Sequence, residues 1–333
     1  MAETIYEKLT EMIGLQGAKF IPELFQMVVD LEEADLLMAM PGTPAQLAEK
    51  LGKPVDEVDA MCRELYHRGV AFKSFKGGSL GYKMCRNFIQ FHDATILWAE
   101  APKEFHDLWQ KCMEEEMPKW NRLFSEVLPK PFNRIITVER SLDVDKQQIL
   151  DADSADKIIE AAEVVAVTNC TCRTIAHKCD MPLEVCLQTD NAARYAIDLG
   201  TGRELNKEEA HQVLREAEEA GLIHVTLNRA HSGHYICNCC RCCCQTFPIL
   251  VNEGLNVCDP SRFRAKIDPD SCHHCGTCAE RCFFRALEEV DHDGEKVMSV
   301  IEDKCMGCGI CSVTCPEEAI SLVEVRTIDF IPA

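Results

Sequence analysis

Residues 272–282 read CHHCGTCAERC and residues 305–316 read CMGCGICSVTCP. In the first stretch Cys272, Cys275, Cys278 and Cys282 form C-x2-C-x2-C-x3-C. In the second, Cys305, Cys308, Cys311 and Cys315 repeat that spacing, and Pro316 follows directly. Each cysteine of the second run lies 33 residues after its counterpart in the first. This is the spacing of a ligand set for a pair of [4Fe–4S] clusters. Zinc takes two C-x2-C pairs rather than two complete four-cysteine runs. One-electron chemistry is therefore implied before any fold is known.

Three thiolates at x2 spacing can wrap one cluster from a tight loop. The fourth, after x3, is expected to start the next helix, point away and bind the other cluster. One set is thus Cys272, Cys275, Cys278 and Cys315; the other is Cys305, Cys308, Cys311 and Cys282. Gly276, Gly307 and Gly309 are expected to let the backbone approach the clusters closely. The first run ends in Cys282-Phe283 where proline is usual, which changes no ligand. His273 and His274 read as solvent-facing neighbours of a loop already supplied with four thiolates.

The chain has 333 residues, 47% of them hydrophobic and 27% charged, an ordinary soluble balance for two or three domains. Its net charge of −20 argues against general nucleic-acid binding, because phosphates would be repelled. Met1 to Gly17 lacks a basic segment followed by an apolar core, so no secretory signal is expected. No run of about 20 uncharged apolar residues predicts a membrane span. A cytoplasmic location is the expectation. The 22 cysteines then point to metal sites rather than disulfides.

Ten of those cysteines lie between the N-terminal part and the repeated runs: Cys170, Cys172, Cys179, Cys186, Cys237, Cys239, Cys240, Cys242, Cys243 and Cys244. Adjacent cysteines bridge each other poorly, whereas soft thiolates select iron–sulfur, copper(I) or zinc. At least one further iron–sulfur cluster is expected here. Two additional cubanes, one unusual cluster, or one cubane beside a zinc or a reactive dithiol would each account for ten thiols. Arg173 and Arg241 are candidates to offset the negative charge. His177, His224, His231 and His234 read mainly as loop or strand residues. Cys62, Cys85, Cys112 and Cys258 stand outside these groups.

Capping and periodicity give the rest. Glu3 to Met40 reads as helices. Thr43-Pro44-Ala45-Gln46 opens a helix, Val55 to Arg68 forms a second, and Val70–Phe75 with Leu80–Met84 forms a hairpin around Lys76-Gly77-Gly78. Helix, turn, helix, hairpin is the order of a winged helix. Its second helix begins with Asp56, Glu57 and Asp59, a poor surface for phosphates, although Lys73, Lys76, Lys83 and Arg86 line the hairpin. Lys103 to Leu128 reads as helical with a break at Pro118. Ser154–Ala162 reads as a helix and Val164–Val167 as a strand that delivers Cys170 and Cys172. Asn206 caps a helix to Ala220, and Leu222–Leu227 is strand-like.

The expected class is α+β and multidomain: a winged-helix-like domain at 1–100, a helical linker at 101–150, a small central α/β cysteine-rich domain at 151–261, and a two-cluster ferredoxin-like βαβ pseudo-repeat at 262–333. The chain resembles a group of 4Fe–4S dicluster-domain proteins of strict anaerobes. These carry a winged-helix-like part, a C-x-C-R segment, an I-C-N-C-C-x-C-C-C segment and a bacterial-type dicluster ferredoxin in that order. Here these are Thr43 to Met84, Cys170 to Arg173, Ile236 to Cys244 and Cys272 to Cys315. The resemblance implies electron transfer in anaerobic metabolism, to or from a partner oxidoreductase, and leaves the reaction open. One alternative is a reductase with substrate at the central cluster; with no Gly-rich nucleotide fingerprint, its flavin or nicotinamide would sit on a partner. The other is an iron–sulfur redox-sensing transcription regulator.

Overall fold

The computed structural model describes residues 3–76, 78–143, 147–230 and 235–333, with Lys76 and Asp151 described by backbone alone. Gly77 of the expected hairpin tip, and His231, Ser232, Gly233 and His234, lie outside the described residues. The chain divides into two units, Met1–Trp120 with Thr174–Ala176, and Asn121–Arg173 with His177–Ala333. Helix and strand are mixed in the α+β manner.

In the first unit, helices Ile5–Met12, Ile21–Val28 and Leu31–Ala39 precede helices Pro44–Leu51 and Val55–His67. Thr43 and Gln46 cap Pro44–Leu51 reciprocally, and Pro44 occupies a first-turn position where its missing N–H leaves no bond unmade. Strands β1 (Ala71–Lys76) and β2 (Ser79–Met84) pair antiparallel, with Lys76 opposite Ser79. Gly42 and Tyr82 exchange backbone hydrogen bonds of 3.1 and 2.8 Å, tying the loop before the capped helix to the hairpin. Helices Phe88–Ile96 and Lys103–Glu115 follow. Trp109 is fully buried against Phe88, Phe91 and Phe105 and donates Nε1–H to Thr95 Oγ1 at 3.2 Å. Trp98 and Trp120 are only half-buried. The helical break falls at Glu116, whose carboxylate accepts from the backbone N–H of Lys19 and Phe20. Pro118 instead sits in the first turn of helix Met117–Val127.

The second unit is built on a six-stranded sheet: β3 (Asn133–Ile135), β4 (Val165–Asn169), β5 (Glu184–Thr189), β6 (Gly202–Leu205), β7 (Ile223–Leu227) and β8 (Tyr235–Cys239). The spatial order is β3-β7-β8-β5-β4-β6, and every pair is antiparallel. The central region, read from sequence as α/β, thus has an antiparallel sheet among the described residues, with parallel pairing only at the isolated bridges Arg134–Asp259 and Thr137–Ser154. Helices Asp190–Asp198 and Lys207–Glu219 pack on β4, β5 and β6.

His211 clamps helix Lys207–Glu219 to helix Ala155–Ala161, with Nδ1 2.6 Å from Asp156 and Nε2 2.7 Å from Glu160. Desolvation lowers its pKa, but the two carboxylates outweigh it and hold the imidazole above its usual value. A raised folded pKa stabilises the protein fully below the unfolded value of about 6.5, and that stabilisation is lost as pH rises through the folded pKa. His211→Gln should therefore lower the denaturant midpoint more at pH 6 than at pH 9; an equal deficit at both would contradict the assignment.

The remaining strands are β9 (Phe263–Ile267), β10 (Leu287–His292), β11 (Glu295–Val300) and β12 (Ile320–Glu324). β9 pairs antiparallel with β12. β10 and β11 form a hairpin at Asp293-Gly294, both with positive φ, as a two-residue primed turn requires. Arg262, wholly buried, anchors this segment. It donates to Asp153 at 3.0 Å, Glu324 at 2.9 Å and Gln148 O at 2.6 Å. Among the described residues no helix is long and apolar enough to cross a membrane.

Candidate metal centres

Among the described residues no two cysteines are joined by a disulfide. The eight of the repeated runs sort into two cavities. One is lined by Cys272, Cys275, Cys278 and Cys315 together with His273 and His274. The other is lined by Cys282, Cys305, Cys308 and Cys311. The fourth cysteine of each run thus faces the cavity of the other run. The local cause differs from the sequence expectation. Helices Thr277–Arg281 and Ile310–Val313 begin after the second cysteine, and Cys282 and Cys315 follow their ends rather than start them. The helix carries the chain across to the other cavity.

Gly276 lines the first cavity, Gly307 and Gly309 line the second, and the latter two also meet protein closely. Gly307 has φ 68°, and a Cβ there would strike Phe263 O and Ser261 Oγ. Its carbonyl accepts from Thr137 Oγ1 and Ser261 Oγ, each at 2.8 Å. Gly309 would likewise strike Ser141 Oγ. Both let protein approach protein, while Gly276, with φ 77°, has open space around it.

Backbone N–H groups point at the thiols: Met298 N lies 3.4 Å from Cys272 Sγ and Ala286 N lies 3.4 Å from Cys282 Sγ. Such donors favour thiolate and bound cluster sulfur. Burial pushes the Cys278 thiol up to about 11 and that of Cys308 up to about 12. Metal binding must displace those protons, so cluster retention should weaken as pH falls. His274 Nε2 pairs with Glu289 at 2.6 Å and His273 Nδ1 with Glu317 at 3.3 Å.

Nine of the ten central thiols form two groups, and Cys186 belongs to neither. β8 carries Cys237 and Cys239 at period two, so both leave the same face of the strand. They stand opposite Val225 and Ile223. Asn238, on the other face, accepts from His224 Nδ1–H at Oδ1, 2.5 Å away, and donates Nδ2–H to Val185 O at 2.7 Å. Cys239 interacts with Cys237 and with Cys244, which, with burial, pushes its thiol well up. Cys170, which caps helix Thr171–Ala176, interacts with Cys172 and lies near Cys237; the Cys172 contact and Arg173 hold its thiol down. Cys170, Cys172, Cys237, Cys239 and Cys244 make one group. Cys258, which no spacing singles out, is wholly buried beside Cys244 and Cys237.

The second group is Cys179, Cys240, Cys242 and Cys243, with all four sulfurs within 4.8 Å of one another. Cys186 stands on β5, where Gln188 Nε2 approaches its sulfur at 3.2 Å. Arg173 is buried beside Cys170, Cys239 and Cys240. One Nη donates to Asn238 O at 3.0 Å, while Nε and Nη1 are buried without an N or O partner. Orphaned guanidinium donors are costly in a dry interior and fit an anionic thiolate centre. Burial raises the Cys240 thiol, but the Cys243 N–H and the Arg173 guanidinium bring it down to about 6. Arg241 is exposed and stacks over Phe283, 5.8 Å from the ring centroid. His177 is exposed; His224 is buried and reaches Glu218 at 3.2 Å.

The family model of the 4Fe-4S dicluster domain matches residues 265–322. A ferredoxin of Pyrobaculum islandicum is 40% identical over 64 residues, 19% of this chain and 57% of that ferredoxin. The chain thus spans little more than half the length of that curated relative. Residues 265–322 thus resemble a 4Fe-4S dicluster domain, which supports the reading of the C-terminal segment as an iron–sulfur domain.

Proposed function

We propose that this chain is a multi-centre electron-transfer protein of anaerobic metabolism, acting in the cytoplasm with a partner oxidoreductase. One [4Fe–4S] cluster is held by Cys272, Cys275, Cys278 and Cys315, and a second by Cys305, Cys308, Cys311 and Cys282. A further cluster draws its ligands from Cys170, Cys172, Cys237, Cys239 and Cys244. Clusters in these sites supply one-electron transfer.

The observation that carries this is continuous packing. Cys237, Cys239 and Cys244 share one apolar cluster with Cys282, Cys305 and Cys308, through Phe247, Phe284 and Ile310. Cys305 and Cys311 share a second with Cys272, Cys278 and Cys315, through Phe263 and Leu322. The path ends at Cys275, which is exposed. Phe283, in place of the usual proline, packs edge-on to Phe247 in the first of these clusters.

The winged-helix-like part, Thr43 to Met84, suits a protein partner better than DNA. Arg63 is paired with Asp59, and Arg68 with Glu33 and Glu64, so the second helix presents few free cations. Phe75 on β1 is 72% exposed and Leu80 on β2 is 38% exposed. Iron and acid-labile sulfide on anaerobically purified protein test the proposal: about twelve irons per chain are expected, and about eight would confine the clusters to the dicluster domain.

A further inference from the structure

Cys179, Cys240, Cys242 and Cys243 are gathered differently from every other thiol set in the chain. Cys179 Sγ lies 3.9 Å from Cys240 Sγ and 3.6 Å from Cys243 Sγ. Cys242 Sγ lies 3.8 Å from Cys240 Sγ and 3.9 Å from Cys243 Sγ. Among the described residues this is the one group of three or more candidate ligands so tightly drawn. The eight thiols of the repeated runs instead stand around open cavities.

The size decides the occupant. Four sulfurs about 2.3 Å from one tetrahedral ion stand about 3.8 Å apart, the edge of that tetrahedron. In a cubane each thiolate sits outside a separate iron corner, so its sulfurs stand farther apart than sulfurs sharing one ion. We infer that Cys179, Cys240, Cys242 and Cys243 form a closed four-thiolate site for a single zinc ion, distinct from the iron–sulfur path.

The local chain supports this. Residues 241–243 turn tightly, so Cys240, Cys242 and Cys243 converge from one short loop. The Cys243 N–H points at Cys240 Sγ at 3.4 Å, stabilising a thiolate there. Cys179 arrives from the loop between helix Thr171–Ala176 and β5. A zinc ion would staple that loop to the one after β8, and so hold Cys170, Cys172, Cys237 and Cys239 in register. A site with four protein ligands is structural, with no open position for substrate.

Metal analysis of the anaerobically purified full chain should give about one zinc per chain, with zinc-edge X-ray absorption reporting four sulfurs at about 2.3 Å and no iron neighbour. Cys242→Ser should lose most of the zinc yet keep the iron and sulfide of the parent. Absence of stoichiometric zinc in the parent, a single iron in its place, or loss of about four irons from Cys242→Ser would each overturn the inference. Should the variant fail to fold, the absorption spectrum of the parent decides alone. Zinc and iron are counted separately, so failure here leaves the electron-transfer proposal standing, and an iron count of about eight leaves this one standing.

Discussion

Serine at both Cys272 and Cys315 should remove one iron–sulfur centre, about four irons, whereas serine at both Cys272 and Cys282 should remove two. Cys315 lies 43 residues from Cys272 in sequence but lines the same cavity. Cys282 lies 10 residues from Cys272 but lines the other. Two lesions in one centre share their effect, so the second adds little once the first has emptied the site. Two lesions in different centres add. Iron content and the reduced-state EPR intensity of each variant provide the readout. If Cys272→Ser/Cys282→Ser kept one intact cluster, each run would serve its own cluster and the crossed arrangement would be wrong.

Gly307→Ala should cost more than about 3 kcal/mol, a large share of the stability of an ordinary domain. A side chain at φ 68° costs about 1–2 kcal/mol by itself. The larger part is steric. The new Cβ would collide with Phe263 O at the start of β9 and with Ser261 Oγ, and neither is the loose end of a flexible side chain. Moving them would break the hydrogen bonds that Thr137 and Ser261 give to the Gly307 carbonyl. Gly254→Ala is the control: it has φ 70° at the end of helix Phe247–Glu253, but nothing stands within 4 Å of its Cβ position. It should cost only about 1 kcal/mol. Denaturant unfolding under anaerobic conditions compares the two; equal losses would show that φ alone sets the cost at Gly307.

The repeated runs were legible because their spacing reflects the cluster that the thiolates surround, whatever else the chain does. The helix from Thr43 and the one from Asn206 were legible because their caps are local. β5, β6 and the β10–β11 hairpin were not. β6 is a short edge strand with Arg203 and Glu204 exposed, and β10 carries Glu288, Glu289 and Asp291, so neither shows a clean apolar alternation. The division of the central thiols was hidden for another reason. Cys179 joins Cys240, Cys242 and Cys243 across some sixty residues through the folding of two loops, and no spacing within either loop announces the other. Cys258 gave no signal, since its place beside Cys244 depends on packing alone. Arg173 and Arg241 looked alike in sequence; only burial separates the first, among the thiols, from the second, on the surface.

The proposed electron path requires a central cluster in electronic contact with the dicluster domain. EPR of the fully reduced, anaerobic protein tests this most directly. Signals beyond two mutually interacting [4Fe–4S] clusters are expected, with the extra interaction lost in Cys237→Ser/Cys244→Ser while the dicluster signals persist. A parent spectrum that two clusters explain in full, unchanged in that variant, would contradict it.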